Sequence, residues 1–277
     1  MTSYLAPSMT IRGRRFDWGA RTYVMGIVNL SPESFSGDGL ADLVSAVAQA
    51  KRFAAEGADM IDVGGMSTRP DFSEISLEEE TNRVVPAIEA IVDAVDLPVS
   101  IDSYRAPVVE AALHAGAQIV NDITGLRNDM AMPRLVAAWD VPAVLMHNQR
   151  GREFHDVIGD LRAGFEESLR LAGDAGVKRE RLILDPGFGF GWTVEQNLEM
   201  LRRLDELHAF GLPLLIGTSR KSTLGAVLDR PGDERVWATA ATVAISIVNG
   251  ADIVRVHDVA AMVDVVRMTD ATVRPKA

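Results

Sequence analysis

The chain has 277 residues, 47% of them hydrophobic, no cysteine and a formal net charge of −11. A disulfide framework, a thiolate metal site and a thiol nucleophile are excluded, and general nucleic-acid binding has no electrostatic support. No run approaches the roughly 20 apolar residues of a membrane helix, and residues 1–15 hold no apolar stretch of signal-peptide length, so cytoplasmic residence is the simplest expectation.

Strand and helix signals alternate along the whole chain. Residues 9–18 alternate apolar and polar side chains around Gly13, the pattern of a short hairpin that could plug the amino-terminal end of a barrel. An apolar run over 22–28 ends at Asn29, and a helix is predicted over about 40–56, with Gly57 as its stop. The run 60–61 ends at Asp62 and precedes a helix over about 77–94, with Ser76 and Glu79 at capping-box spacing. The run 99–101 ends at Asp102, before a helix over about 107–115 closed by Gly116; the run 118–120 ends at Asn121 and Asp122, before a short helix near 132–138. The run 141–146 leads into His147 and a helix over about 158–175. The run 181–184 ends at Asp185, before a helix over about 194–209 stopped by Gly211. The run 213–216 leads into Thr218 and Ser219, and Pro231 and Gly232 then part a first helix from a second at 235–248. The run 252–254 ends at Arg255 and His257, ahead of a last helix over about 260–269.

Eight such units fit an α/β fold of the (β/α)8 TIM-barrel type with an amino-terminal β-hairpin, for which roughly 250 residues is typical. Residues 1–277 read as one domain. An open doubly wound sheet fits the same alternation, but eight units with polar strand ends favour closure. A parallel strand is buried on both faces, so exposed polar chemistry belongs at its carboxyl end. Eight polar ends then meet on one rim.

Carboxylates at 78–80 and 166–167 fall on predicted helix faces and read as solvated charge. Arg69, Arg220, Lys221 and Arg255 instead sit at or just after strand ends, so an acidic chain gathers cations on one rim, as an anion site requires. Asp102, Asn121 and Asp185 each directly follow an apolar run. In a barrel mouth such groups cost ~1–3 kcal/mol each unless hydrogen-bonded. One Asp there can simply cap the next helix, whereas three such groups facing one cavity suit a ligand edge dense in N–H donors. Arg255 and His257 lie two apart, on one side of an extended strand, at the rim where many barrels bind phosphate. Residues 185–191 lack the dinucleotide glycine spacing, and residues 219–222 lack the Walker glycines. Phe35, in a Gly-, Ser- and Pro-rich loop, either closes over an aromatic ligand or packs beneath its own loop. His147 reads equally as lining for its loop. No pair of histidines or carboxylates has transition-metal spacing, so zinc is not expected.

Taken together, several segments resemble the dihydropteroate synthases. They are Met25-Gly-Ile-Val-Asn-Leu-Ser-Pro-Glu-Ser-Phe-Ser36, Asp62-Val-Gly-Gly with Ser-Thr-Arg-Pro70, and Ser100-Ile-Asp-Ser103. Asn121-Asp-Ile-Thr-Gly125, Leu184-Asp-Pro-Gly-Phe-Gly-Phe190, Gly217-Thr-Ser-Arg-Lys-Ser222 and Arg255-Val-His-Asp258 complete the set, in order. The resemblance implies a transferase of folate biosynthesis that joins 4-aminobenzoate to 6-hydroxymethyl-7,8-dihydropterin diphosphate, with SN1-like loss of diphosphate, and that sulfonamides target. It implies pterin binding by Asp102, Asn121, Asp185 and Lys221, with Ile123, Met146, Phe190 and Gly217 around the ring. Asn29, Thr68, Arg255 and His257 fall on the diphosphate side, with Asn29 also a ligand to Mg²⁺. Phe35, Thr68, Arg69, Pro70 and Ser222 fall on the aminobenzoate side. Lys221, Arg255, His257 and Asn29 are thereby the implied catalytic group.

Two positions depart from the family pattern: Met66 stands where a glutamate is usual, and residues 36–40 alter the usual end of the first loop. Two other readings remain open, a catalytically silent pterin-binding paralogue and a methyltetrahydrofolate-dependent methyltransferase on the same barrel. The resemblance also implies a homodimer through carboxyl-terminal helices. The small-residue-rich segment 238–250 suits that, and equally suits packing on its own barrel.

Overall fold

The computed structural model describes residues 6–31, 42–66 and 74–274. It opens with the expected hairpin, β1 (Met9–Ile11) antiparallel to β2 (Arg14–Phe16). Arg12 and Gly13 turn between them with φ of 48° and 72°, the two left-handed positions of a turn whose twist matches its strands. The Arg12 guanidinium donates to the carbonyls of Val92, Val95 and Leu97 at 2.8–2.9 Å, fixing the hairpin to the far end of a helix.

Eight parallel strands follow: β3 (Tyr23–Asn29), β4 (Met60–Gly64), β5 (Val99–Asp102), β6 (Ile119–Asp122), β7 (Ala143–Met146), β8 (Leu182–Asp185), β9 (Leu215–Ile216) and β10 (Ile253–Val256). They hydrogen-bond in the order β8-β7-β6-β5-β4-β3-β10-β9. A parallel bridge between Leu184 and Leu214, with the Leu184 N–H donating to Pro213 at 2.9 Å, joins the two ends. The sheet is therefore a barrel, and the open doubly wound alternative falls.

Nine α-helices occur among the described residues: α1 (Leu43–Glu56), α2 (Leu77–Ala94), α3 (Ala106–His114), α4 (Met132–Trp139), α5 (Val157–Asp174), α6 (Val194–Arg202), α7 (Ser222–Leu228), α8 (Val236–Val248) and α9 (Val259–Val273). Ser76 caps α2 by accepting from the Glu79 N–H at 3.0 Å. Glu79 itself turns to Arg83, so the box is half made there and complete only at Thr193 and Gln196 of α6. The sixth predicted helix stops early, at Arg202. The chain then tightens into a 3-10 turn over Leu204–Phe210, whose three-residue repeat buries both Leu204 and Leu207. Among the described residues, no helix is long and apolar enough to cross a membrane.

The strand period of two sorts side chains between two cores. Outward residues such as Ile61, Val63, Ile101, Val120, Leu145 and Leu184 pack under the helices. Gly26 belongs to that outer face, since a Cβ there would lie 2.6 Å from the Phe53 ring of α1. Inward residues Met25, Met60, Ile119, Val144, Ile183, Leu215 and Ile253 fill the barrel floor, together with Met9, Ile11, Phe16 and Trp18 of the hairpin segment. The hairpin thus stoppers the amino-terminal end. Phe16 is 2% exposed and stacks on Trp18 at 5.6 Å. We expect Phe16→Ala to cost about 3–5 kcal/mol of stability, read as a lowered urea midpoint; a loss under 1 kcal/mol would show that the stopper is dispensable.

Candidate active site

Two residues beyond four of the floor side chains, the inward position becomes polar. Met60 leads to Asp62, Ile119 to Asn121, Ile183 to Asp185 and Ile253 to Arg255. The carboxyl ends of all eight barrel strands line one cleft of about 830 Å³, counting the open space at its mouth.

The cleft gathers Asn29, Asp102, Asn121, Ile123, Met146, Asp185, Phe190, Gly217, Lys221, Arg255 and His257. Met66 lines it as well. Ser222 is the first residue of α7, exposed and outside the lining. Phe35, Thr68, Arg69 and Pro70 lie outside the described residues. Arg220, grouped with the rim cations by position, is bound to Asp258 through two contacts of 3.0 and 2.6 Å instead of lining the cleft. Its left-handed backbone, φ 57°, marks the turn between β9 and α7.

Arg255 organises the floor of the cleft. Its Nε donates to Asp62 Oδ2 at 2.6 Å and one terminal nitrogen donates to Asp102 Oδ2 at 2.7 Å. Asn121 Nδ2 reaches the same Asp62 oxygen at 3.0 Å. Burial alone would weaken Arg255 as a cation, but the two carboxylates outweigh it and raise its pKa. Burial likewise pushes the Asp102 carboxyl up, against the pull of Arg255. Asp62 is fully buried, and its Oδ1 has no hydrogen-bond partner among the described residues. Sequence reasoning named Asp62 as a polar strand end but gave it no role in the site. The period of two from Met60 was the signal that could have found it.

Asp185 accepts from the Gly187 N–H at 2.8 Å. Gly187, with φ 72°, passes so close to the His147 carbonyl that a Cβ would collide with it. Burial pushes the Asp185 carboxyl up to about 6, opposed by the Gly187 N–H, Lys221 and Arg255. Lys221 lies with Nζ 4.1 Å from the centre of the Phe190 ring. Burial, then Arg255, brings Lys221 down to about 8, opposed by Asp185. Ile123, Met146 and Phe190, with Tyr104 against them, form the apolar wall.

On the cationic side, His257 Nδ1 lies 2.9 Å from Ser219 Oγ, which also accepts the His257 N–H at 3.2 Å. Asn29 Oδ1 accepts the Ser31 N–H at 3.0 Å. His147 is buried against Phe165 and Trp192, and burial lowers it to about 4, so it is a neutral core imidazole. The residues that bracket the second loop are tied down: Arg83 donates to Gly65 at 3.1 Å, Arg105 to Ile75 at 2.8 Å and Tyr104 Oη to Glu74 at 2.6 Å. The cleft therefore presents carboxylate and amide acceptors beside an apolar wall, with Arg255 held among the acceptors and Lys221 over the wall. Such a site can hold a flat heterocycle by its N–H edge and an anion at its far end.

A carboxylate whose native pKa is raised weakens the fold above that pKa and ceases to do so as pH falls toward its unfolded value near 4. We expect Asp185→Asn to gain up to about 2–3 kcal/mol of stability at pH 8, with the gain vanishing near pH 4. Urea denaturation across pH measures it, and a pH-independent difference would contradict the burial account.

Residues 25–257 match the family of pterin binding enzymes. The dihydropteroate synthase of Clostridium beijerinckii is 47% identical over 96% of this chain and 100% of its own length. A dihydropteroate synthase from Clostridium difficile, crystallised in the presence of pteroic acid, superposes with a TM-score of 0.89 at 46% identity, over 94% of this chain and 99% of that one. The Yersinia pestis dihydropteroate synthase in complex with a sulfonamide drug gives a TM-score of 0.92 at 38% identity, over 98% of this chain and 100% of that one. With the barrel, the sorted cleft and these relatives in agreement along nearly the whole length, the chain belongs to the dihydropteroate synthase family of pterin-binding enzymes.

Proposed function

We propose that this chain, acting as a single domain, condenses 4-aminobenzoate with 6-hydroxymethyl-7,8-dihydropterin diphosphate to give 7,8-dihydropteroate and diphosphate. The observation that carries the reading is the division of one cleft between acceptors at Asp102, Asn121 and Asp185 and cations at Lys221 and Arg255. Asp185 suits the 2-amino group and adjacent ring N–H of the pterin, Asn121 can both donate and accept, and the Phe190 wall takes the ring face. The C–O bond to diphosphate breaks and leaves a cation at the pterin methylene. The arylamine nitrogen then forms the C–N bond and loses its proton. Arg255 commits two of its donors to Asp62 and Asp102; its other donors, together with His257, would stabilise the departing anion.

Mg²⁺ fits this set in one way. Among the described residues no group of three acids or histidines could cage a metal, but Mg²⁺ is commonly held by one or two protein oxygens, water and substrate phosphates. Asn29 would supply the protein oxygen, and the ion would neutralise charge on the leaving diphosphate. Aminobenzoate and the sulfonamides that mimic it would be held by residues 35, 68–70 and 222, as the motif resemblance implies.

Diphosphate release by the pure protein should require both 4-aminobenzoate and Mg²⁺, and chelation should abolish it reversibly. Binding of the pterin diphosphate without release would favour the silent paralogue instead. Arg255→Ala should weaken the pterin diphosphate roughly 10–100-fold more than the bare pterin, the equivalent of one charge-assisted contact. Calorimetry with both ligands tests this, and equal losses would remove Arg255 from the anion side.

We also propose a homodimer through α8. Trp237, Ile245 and Val248 lie on one side of that helix and are 81%, 45% and 54% exposed, an apolar stripe that water disfavours. Light scattering should give twice the 30.0 kDa chain mass, and Trp237→Glu should halve it. A monomeric wild type would refute the pairing.

A further inference from the structure

Arg150 belongs to none of the groups assigned above, yet the fold holds it against them. It follows β7 in the loop after His147, where its own N–H donates to Asn148 Oδ1 at 3.1 Å. That loop is pressed onto the one after β8. The Gln149 N–H donates to the Phe190 carbonyl at 3.0 Å, and a Cβ at Gly191 would lie 2.5 Å from the Arg150 nitrogen. Backbone contacts alone therefore bring Arg150 to Phe190. Its guanidinium carbon stands 4.9 Å from the centre of the Phe190 ring, the ring that also carries the Lys221 ammonium at 4.1 Å. The two cationic centres are thus no farther apart than those two distances end to end. Among the described residues, no carboxylate pairs with Arg150.

One aromatic face attracts a cation, but two cations sharing a ring repel each other across it. The stem of Lys221 has little room to retreat: a Cβ at Gly189 would be 3.1 Å from its Cδ. We propose that Arg150 is a positioning residue for Lys221, setting through the Phe190 ring where the lysine ammonium stands in the cleft and how firmly it keeps its charge.

The charged groups that face Lys221 come from four elements. Asp102 of β5 and Asp185 of β8 hold it in its cationic form, while Arg255 of β10 and Arg150 of the loop after β7 oppose that form. Arg255 is itself neutralised by Asp62 and Asp102. Arg150 has no such carboxylate among the described residues, and it opposes the Lys221 charge after Arg255 does. It is the one member of the four that can be changed without touching a proposed substrate contact.

The chain has only four lysines, at 51, 178, 221 and 276, so Lys221 can be titrated directly. The full-length protein, labelled at lysine Cε and followed by NMR across pH, should show one midpoint near 8 that is missing in Lys221→Gln. In Arg150→Met, which keeps length and loses charge, that midpoint should rise by about half a unit or more. In Arg150→Lys, which keeps the charge, it should return toward the wild-type value. An unchanged midpoint in Arg150→Met, or an equal rise in Arg150→Lys, overturns the proposal.

The functional side rests on the reading that Lys221 serves the condensation, and it has a separate readout. The alkaline limb of kcat/KM should move with the NMR midpoint in each variant. If the midpoint moves and the limb does not, the role of Lys221 fails while its positioning by Arg150 stands.

Discussion

A single guanidinium, that of Arg255, joins two carboxylates that the barrel would otherwise enclose without an opposite charge in contact. Asp62 is fully enclosed, and Asp102 is pushed toward its neutral form by burial. Removing ions from water costs several kcal/mol each, so such an arrangement persists only where geometry is close and every partner is present. Contacts of 2.6 and 2.7 Å meet the demand for close geometry, while Asp62 Oδ1 is left without a partner among the described residues. They tie β10 to β4 and β5 across the mouth, and Asn121 extends the link to β6 through the same Asp62 oxygen. The shape of the cleft floor is inseparable from this charge arrangement.

The rest of the cleft is electrostatically unfinished. Asp185 is raised and Lys221 lowered, each shifted toward neutrality because burial outweighs the partners present. Groups in that condition gain from any ligand that supplies the missing N–H donors or an anion, and they need little rearrangement to receive it. The same condition weakens the empty fold, so binding and stability pull against each other at these positions.

Much of this was legible beforehand. Polar residues directly after apolar runs let Asp102, Asn121, Asp185 and Arg255 be placed together on one rim from the sequence, because parallel strands leave polar residues no other place. Direction was not legible where the backbone leaves the regular strand. Arg220 and Lys221 are neighbours in sequence, yet one meets Asp258 and the other Phe190, since Arg220 adopts a left-handed φ. Asp62 was read as a strand end, but its contact with Arg255 joins strands at opposite ends of the sequence and carried no local signal. Arg150 carried no signal at all, because the Phe190 ring it meets is forty residues away and is brought to it by backbone packing between two loops. The early end of α6 was missed for a related reason: burying Leu204 and Leu207 together is a tertiary demand that overrides local helical preference.

The hairpin beneath the barrel has a consequence for traffic. With Phe16 and Trp18 corking the lower end, the vessel is filled and emptied through its rim. Whatever settles against Asp185 and Asn121 occupies the bottom, and a second molecule arriving above it blocks its retreat. A closed floor thus leaves the rim as the route along which order of entry would be decided.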